Sequence, residues 1–219
     1  MKKGLTELVC ILDRSGSMYH LSEDTIGGYN SMVEQQKKDP GECYITTVLF
    51  NDQYRIIRDH VDIQEVAPLT DKEYVATGST ALLDAVGRTI NAVGERLANT
   101  PEEERPEHVI FAITTDGHEN DSVEYNRASV QKMIKHQTDK YSWKFIFVGA
   151  GIDAYAEAEQ NFGIRSPEYI MNASATTDGV ANTYSSLSRA FTALKNSAVL
   201  DESWKTGEVT VNIDYNNEV

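Results

Sequence analysis

Apolar and polar positions along the chain follow two alternating rhythms. Short unbroken apolar runs, each closed by a polar turn, predict strands buried on both faces at Leu8–Leu12, Tyr44–Phe50, His108–Thr115 and Trp143–Val148, with a shorter one near Tyr169–Met171. Between them, apolar residues recur every three or four positions and predict helices. Asp24–Lys38 carries Ile26, Tyr29, Met32 and Val33 on one face and is stopped by Asp39-Pro40-Gly41. Ala81–Leu97 repeats Leu82, Ala85, Val86, Ile90, Val93 and Leu97, and Thr177–Lys195 repeats Val180, Tyr184, Leu187, Phe191 and Leu194. Tyr125–Thr138 and Ala154–Phe162 complete the helical set.

One pair breaks the alternation. Tyr54–Val61 follows Phe50 after only Asn51-Asp52-Gln53, too short a link for a crossover helix, so these two strands pair as a hairpin. The predicted fold class is therefore α/β: a doubly wound, mostly parallel sheet with one antiparallel edge strand and helices on both faces. Residues 1–199 form one domain. Residues 200–219 are a C-terminal extension whose Glu208–Ile213 run reads either as an edge strand or as part of a loose tail.

Composition narrows the function classes. The chain has 219 residues, 40% of them hydrophobic, enough for one full core. Its formal charge of −14 repels nucleic acid and anionic membranes, so neither is an expected partner. Met1-Lys2-Lys3 resembles the charged start of a signal peptide, but the apolar run after it is short, preceded by Glu7 and followed by Asp13, so no signal peptide is expected. No run is long enough to span a bilayer. Cys10 and Cys43 lie within or beside strand-like runs, which predicts buried reduced thiols and a cytoplasmic location.

The candidate chemistry sits where apolar runs end. The first run delivers Asp13-Arg14-Ser15-Gly16-Ser17: one carboxylate and two hydroxyls at alternate positions. Such a hard, all-oxygen donor set suits Mg2+ or Mn2+ better than zinc or copper. The same residues could simply cap the next helix, and the turn alone leaves both readings open. The strand His108–Thr115 ends in Asp116-Gly117, placed like Asp13, and Gly78-Ser79-Thr80 leads into the Ala81–Leu97 helix. Parallel strands share one C-terminal edge, so these three turns can meet there.

Those residues carry a resemblance. The chain resembles a von Willebrand factor type A (vWA) domain, the fold of integrin I domains, and the stand-alone bacterial members of that family. The family's metal-ion-dependent adhesion site (MIDAS) is D-x-S-x-S, then a distant Thr, then an Asp after a later strand, and here these are Asp13, Ser15, Ser17, Thr80 and Asp116. The resemblance covers about Glu7 to Ser197. It implies a Mg2+ site, with Mn2+ or Ca2+ as alternatives, held by Ser15, Ser17 and Thr80, with Asp13 and Asp116 bound directly or through water. It also implies no catalysis, and a protein partner that supplies a Glu or Asp carboxylate to the open metal position.

Around the motif, His118, Glu119, Asn120 and Asp121 are expected to line the rim, or else to be solvated loop residues, and His20 to touch that rim without ligating. Arg14 is expected to point away from the metal, with contact to a partner or Glu119 as the less favoured alternative, and Tyr19 and Tyr29 to pack. The alternative function is a Mg2+-dependent phosphohydrolase of haloacid-dehalogenase-like chemistry, but that chemistry needs a second Asp where Ser15 stands. No G-x-x-x-x-G-K-[ST] phosphate loop is present either.

Overall fold

A computed structural model describes residues 1–196 and 200–206. The strands are β1 (Lys2–Asp13), β2 (Glu42–Phe50), β3 (Tyr54–Asp62), β4 (Pro106–Thr115), β5 (Lys144–Ala150) and β6 (Ile170–Ala173). The helices are α1 (Ser22–Gln36), α2 (Leu82–Asn99), α3 (Arg127–Tyr141), α4 (Ala154–Glu157), α5 (Thr177–Lys195) and α6 (Ser203–Thr206). They build one six-stranded sheet in the order β3-β2-β1-β4-β5-β6. Every neighbouring pair is parallel except β2 with β3, the predicted hairpin at the edge.

Alternation along β1 sorts the core into two layers, because successive side chains point to opposite faces. Leu8, Cys10 and Leu12 pack with Tyr29 and Met32 of α1 and with Tyr184, Leu187 and Phe191 of α5. Val9 and Ile11 pack with Val86, Ile90 and Val93 of α2 and with Val130 and Ile134 of α3. Helices therefore cover both faces, and the central strand is dry from Leu5 to Asp13.

Three expectations need correction. The first strand is longer than its apolar run, because Lys2 to Thr6 still pair with β4 across a register shift. The segment Ala154–Phe162 is not one α-helix: α4 covers its first turn, and residues 158–162 continue as a π-helical turn closed by Gly163 at φ +69°. Tyr19, expected to pack, is 77% exposed, whereas Tyr29 is buried as expected. The run Glu208–Ile213 lies outside the described residues.

Cys10 and Cys43 are free and buried, and burial pushes their thiols up to about 12 and about 11, so they stay protonated and unreactive near neutral pH. Among the described residues no helix is long and apolar enough to cross a membrane.

Candidate functional site

The C-terminal ends of β1 and β4 lie side by side, with Leu12 opposite Thr114 in the ladder. That register alone brings the turn after Asp13 beside the turn after Thr115. The third turn is carried in by backbone pairing: Gly16 N donates to Gly78 O at 3.0 Å, and Thr77 N donates to Arg14 O at 2.9 Å. Asn51, at the end of β2, holds the same loop with its Nδ2 on Thr77 O (2.6 Å) and its carbonyl on Ala81 N (2.9 Å). Gly78 is required here: it has φ +76°, and a Cβ would lie 2.0 Å from Asp52 Oδ1.

The oxygens converge. Ser15 Oγ lies 3.1 Å from Ser17 Oγ, and Ser17 Oγ donates to Asp116 Oδ1 at 2.6 Å. Thr80 Oγ1 and Ser17 Oγ lie 3.3 and 3.8 Å from the point where a side chain on Gly117 would begin, so the missing Cβ keeps that space open. Asp13 Oδ1 accepts from Ser15 N at 2.6 Å, and its Oδ2 accepts from Thr115 Oγ1 at 2.5 Å. Adjacent vertices of an octahedron with bonds of about 2.1 Å are about 3 Å apart, close to the 3.1 Å between the Ser15 and Ser17 hydroxyls.

The capping alternative is not what the hydroxyls do. Ser15 makes no side-chain cap bond, and the N-cap position of α2 is Ala81 rather than Thr80. The first amides of α2 are instead held from the loop after β4: Leu83 N donates to Glu119 Oε2 (2.8 Å) and Asp84 N to Ser122 Oγ (3.0 Å). Thr80 N donates to Asn120 Oδ1 at 2.9 Å, and Asn120 N donates back to Thr80 O at 3.1 Å. Asp84 returns the contact by accepting from the amides of Val123, Glu124 and Tyr125. These clamps leave the Thr80 hydroxyl free for the site, and they were not found from the sequence. Asn, Asp and Glu facing a helix start are a recognisable signal once two loops are known to be adjacent.

The charge balance is uneven. Asp13 is 1% exposed, Ser15 and Thr80 are buried, Asp116 is half-buried and Ser17 is exposed. Burial pushes the Asp13 carboxyl up to about 6, against the hydrogen bonds from Thr115 and Ser15, and the nearby Asp116 pushes in the same direction. Burial also raises Asp116, opposed by its bond from Ser17 and by the charge of His20. Among the described residues no basic side chain forms an ion pair with either aspartate; the ion pairs lie elsewhere.

The neighbouring residues divide. Arg14 does not reach Glu119: it is buried, donates from Nη1 to Val75 O at 3.2 Å, and lies under the 74–78 loop. Glu119 and Asn120 are clamps, His118 pairs with Glu157 at 2.7 Å, and Asp121 and His20 are exposed. Thr115 and Tyr74, whose hydroxyl donates to the Asp13 carbonyl, are support residues that the motif did not include. Among the described residues there is no cluster of three or more His, Cys, Asp or Glu able to hold a metal, so any cation here depends on the hydroxyls.

No protein-family model matches the chain, and no curated protein matches it. Solved structures do. Proximal thread matrix protein 1 of the mussel byssus, in a structure with a zinc-occupied MIDAS motif, aligns with a TM-score of 0.54 at 17% identity, over 87% of this chain and 46% of that one. A von Willebrand factor type A protein from Catenulispora acidiphila aligns with a TM-score of 0.55 at 14% identity, over 89% and 42%. The vWF domain of the type V pili tip protein Mfa5 from Porphyromonas gingivalis aligns with a TM-score of 0.60 at 9% identity, over 85% and 94%. The chain spans less than half the length of the first two. It has the vWA fold.

Proposed function

We propose that this chain is a metal-dependent protein-interaction module, in which Asp13, Ser15, Ser17, Thr80 and Asp116 hold a hard divalent cation, Mg2+ by choice. The observation that carries this is the unbalanced pair of aspartates: two carboxylates face three hydroxyls, one carboxylate is fully buried, and neither forms an ion pair with a basic side chain among the described residues. Burying such a group costs free energy unless a cation compensates it. The donors are all oxygen, Ser15, Ser17 and Asp116 lie within hydrogen-bond distance of one another in turn, and Gly117 keeps the space between Thr80 and Ser17 clear. They fit Mg2+ or Mn2+, with Ca2+ as the larger alternative. The metal-occupied MIDAS motif of the mussel-byssus protein supports the same reading on the same fold.

The protein's own groups orient the set. Ser15 N and Thr115 fix the Asp13 carboxylate, Ser17 joins Ser15 to Asp116, and the 51–81 loops deliver Thr80. Five protein oxygens leave one octahedral position, which a hard cation offers to an external carboxylate from a partner's Glu or Asp. Ser15 occupies the position where a haloacid-dehalogenase-like phosphohydrolase requires its second Asp, so binding is the better reading.

The test is capture from lysate on immobilised protein, in Mg2+ and then in EDTA, with Asp13→Asn protein in parallel. The reading expects proteins retained by the native chain in Mg2+, released by EDTA and absent from the variant. Identical captures under all three conditions would contradict it.

A further inference from the structure

Six large apolar side chains are exposed among the described residues: Met1, Tyr19, Val75, Val123, Tyr141 and Tyr155. Single exposed apolar residues are ordinary on soluble proteins. Met1 is the first residue of the chain, and the other five divide into two groups. Tyr155 is covered by Lys205, and Tyr141 contacts His136 and Lys140. Tyr19, Val75 and Val123 make no side-chain hydrogen bond or ring contact among the described residues. Each lies on a different one of the three loops that build the site.

Their exposure is imposed by rigid backbone. Tyr19 sits in a 3-10 turn, Gly16–Leu21, whose Met18 and Leu21 are buried, which turns the tyrosine outward to 77% exposure. Val75 follows the buried Tyr74, its carbonyl is held by Arg14, and its side chain is 52% exposed. Val123 lies between Ser122, whose amide and hydroxyl are held by Glu119, and Glu124, whose amide is held by Asp84; it is 89% exposed. The hydrogen bonds that hold these loops fix the side chains outward. Presenting apolar groups on an already ordered frame lowers the entropy cost of binding.

Charge restricts the partner. Asp52, Asp71 and Asp121 are exposed on the loops around the site, and the chain carries a net charge of −14. A partner segment rich in acids would be repelled outside the metal position.

Resting on the metal-bridged reading above, we propose that the partner presents a single carboxylate flanked by apolar side chains, which Tyr19, Val75 and Val123 cover. The carboxylate supplies orientation through the metal, and the three apolar residues supply a dry surround that excludes water from it.

The experiment selects random phage-displayed peptides on the native protein in Mg2+, with Asp13→Asn protein as counter-selection, and collects those released by EDTA. The expected peptides carry one Asp or Glu with aromatic or aliphatic neighbours. A synthetic peptide of that sequence should bind Tyr19→Ser or Val123→Thr protein about tenfold more weakly, while Mg2+ titrates those variants as it does the native chain. Released peptides that are acidic without apolar neighbours, or variants that bind them equally, overturn this proposal and leave the metal bridge standing. If EDTA releases no peptides, the metal-bridged reading fails and this proposal fails with it.

Discussion

β1 carries two fully buried carboxylates, and the protein treats them in opposite ways. Glu7 and Asp13 are six positions apart on one strand, so they share a sheet face, and both are 1% exposed or less. Glu7 is closed within the protein: Arg96 Nη2 and Thr46 Oγ1 each donate to its Oε1 at 2.7 Å, and His60 Nδ1 meets its Oε2. Arg96 also pairs with Asp59 at 2.8 Å, and Tyr44 stacks on His60. Asp13 receives a backbone amide and neutral hydroxyls, with no basic side chain in an ion pair among the described residues, and stands near a second carboxylate. A cluster that supplies its own cations is structural. One that gathers carboxylates and hydroxyls without a cation is arranged for a charge from outside.

The contrast can be broken at either end. The largest effect on folding belongs to Glu7: Glu7→Gln strands Arg96 and His60 against a buried neutral group and should cost about 3 kcal/mol in urea denaturation, with Mg2+ affinity unchanged. Asp13→Asn should do the reverse. Metal affinity should fall roughly a hundredfold or more, while the metal-free protein gains about 2 kcal/mol at neutral pH, because the variant no longer buries a charge.

A pH series sharpens the same point. With the Asp13 carboxyl at about 6 in the fold against its ordinary 3.8, the metal-free native state holds this proton more tightly than the unfolded chain does. Its contribution to stability is complete below about 3.8 and is lost as pH rises to about 6. Mg2+ needs the ionised carboxylate, so the rise in Tm on adding Mg2+ should be full above pH 7 and shrink as pH falls through about 6. A rise that is constant from pH 5 to 8 would separate Asp13 from the metal. The smallest expected effect is Gly117→Ala, which places a methyl 3.3 Å from Thr80 Oγ1 and should weaken Mg2+ about tenfold, with little change in stability.

The legible part of this molecule was the part written in periodic apolar residues and in a motif of fixed spacing. Alternating runs predicted the parallel sheet and its antiparallel edge strand, and the short Asn51-Asp52-Gln53 link predicted the hairpin. The three site turns do meet at one sheet edge: β1 and β4 are adjacent and in register, and backbone pairing of the 77–81 loop with Arg14, Gly16 and Asn51 brings in the third. What stayed hidden depends on contacts between loops distant in sequence. Glu119 and Asn120 read as rim or solvated residues and Ser122 went unread, yet the three hold the start of α2 across a gap of about 40 positions. Tyr19 was misplaced, and the burial of Arg14 against Val75 went unread, for a related reason. Their orientation is set by the 74–78 loop and by the 3-10 turn around Met18 and Leu21, neither of which has a periodic signature. The Glu7 cluster went unread because its partners come from β2, β3 and α2, and nothing in the local sequence links them.

The central claim is that the two buried carboxylates of β1 have different owners. Calorimetric titration of Mg2+ at neutral pH into native, Glu7→Gln and Asp13→Asn protein tests it most directly. The account predicts one site of similar affinity in the native chain and in Glu7→Gln, and binding weaker by about a hundredfold or more in Asp13→Asn; equal binding by native and Asp13→Asn protein would contradict it.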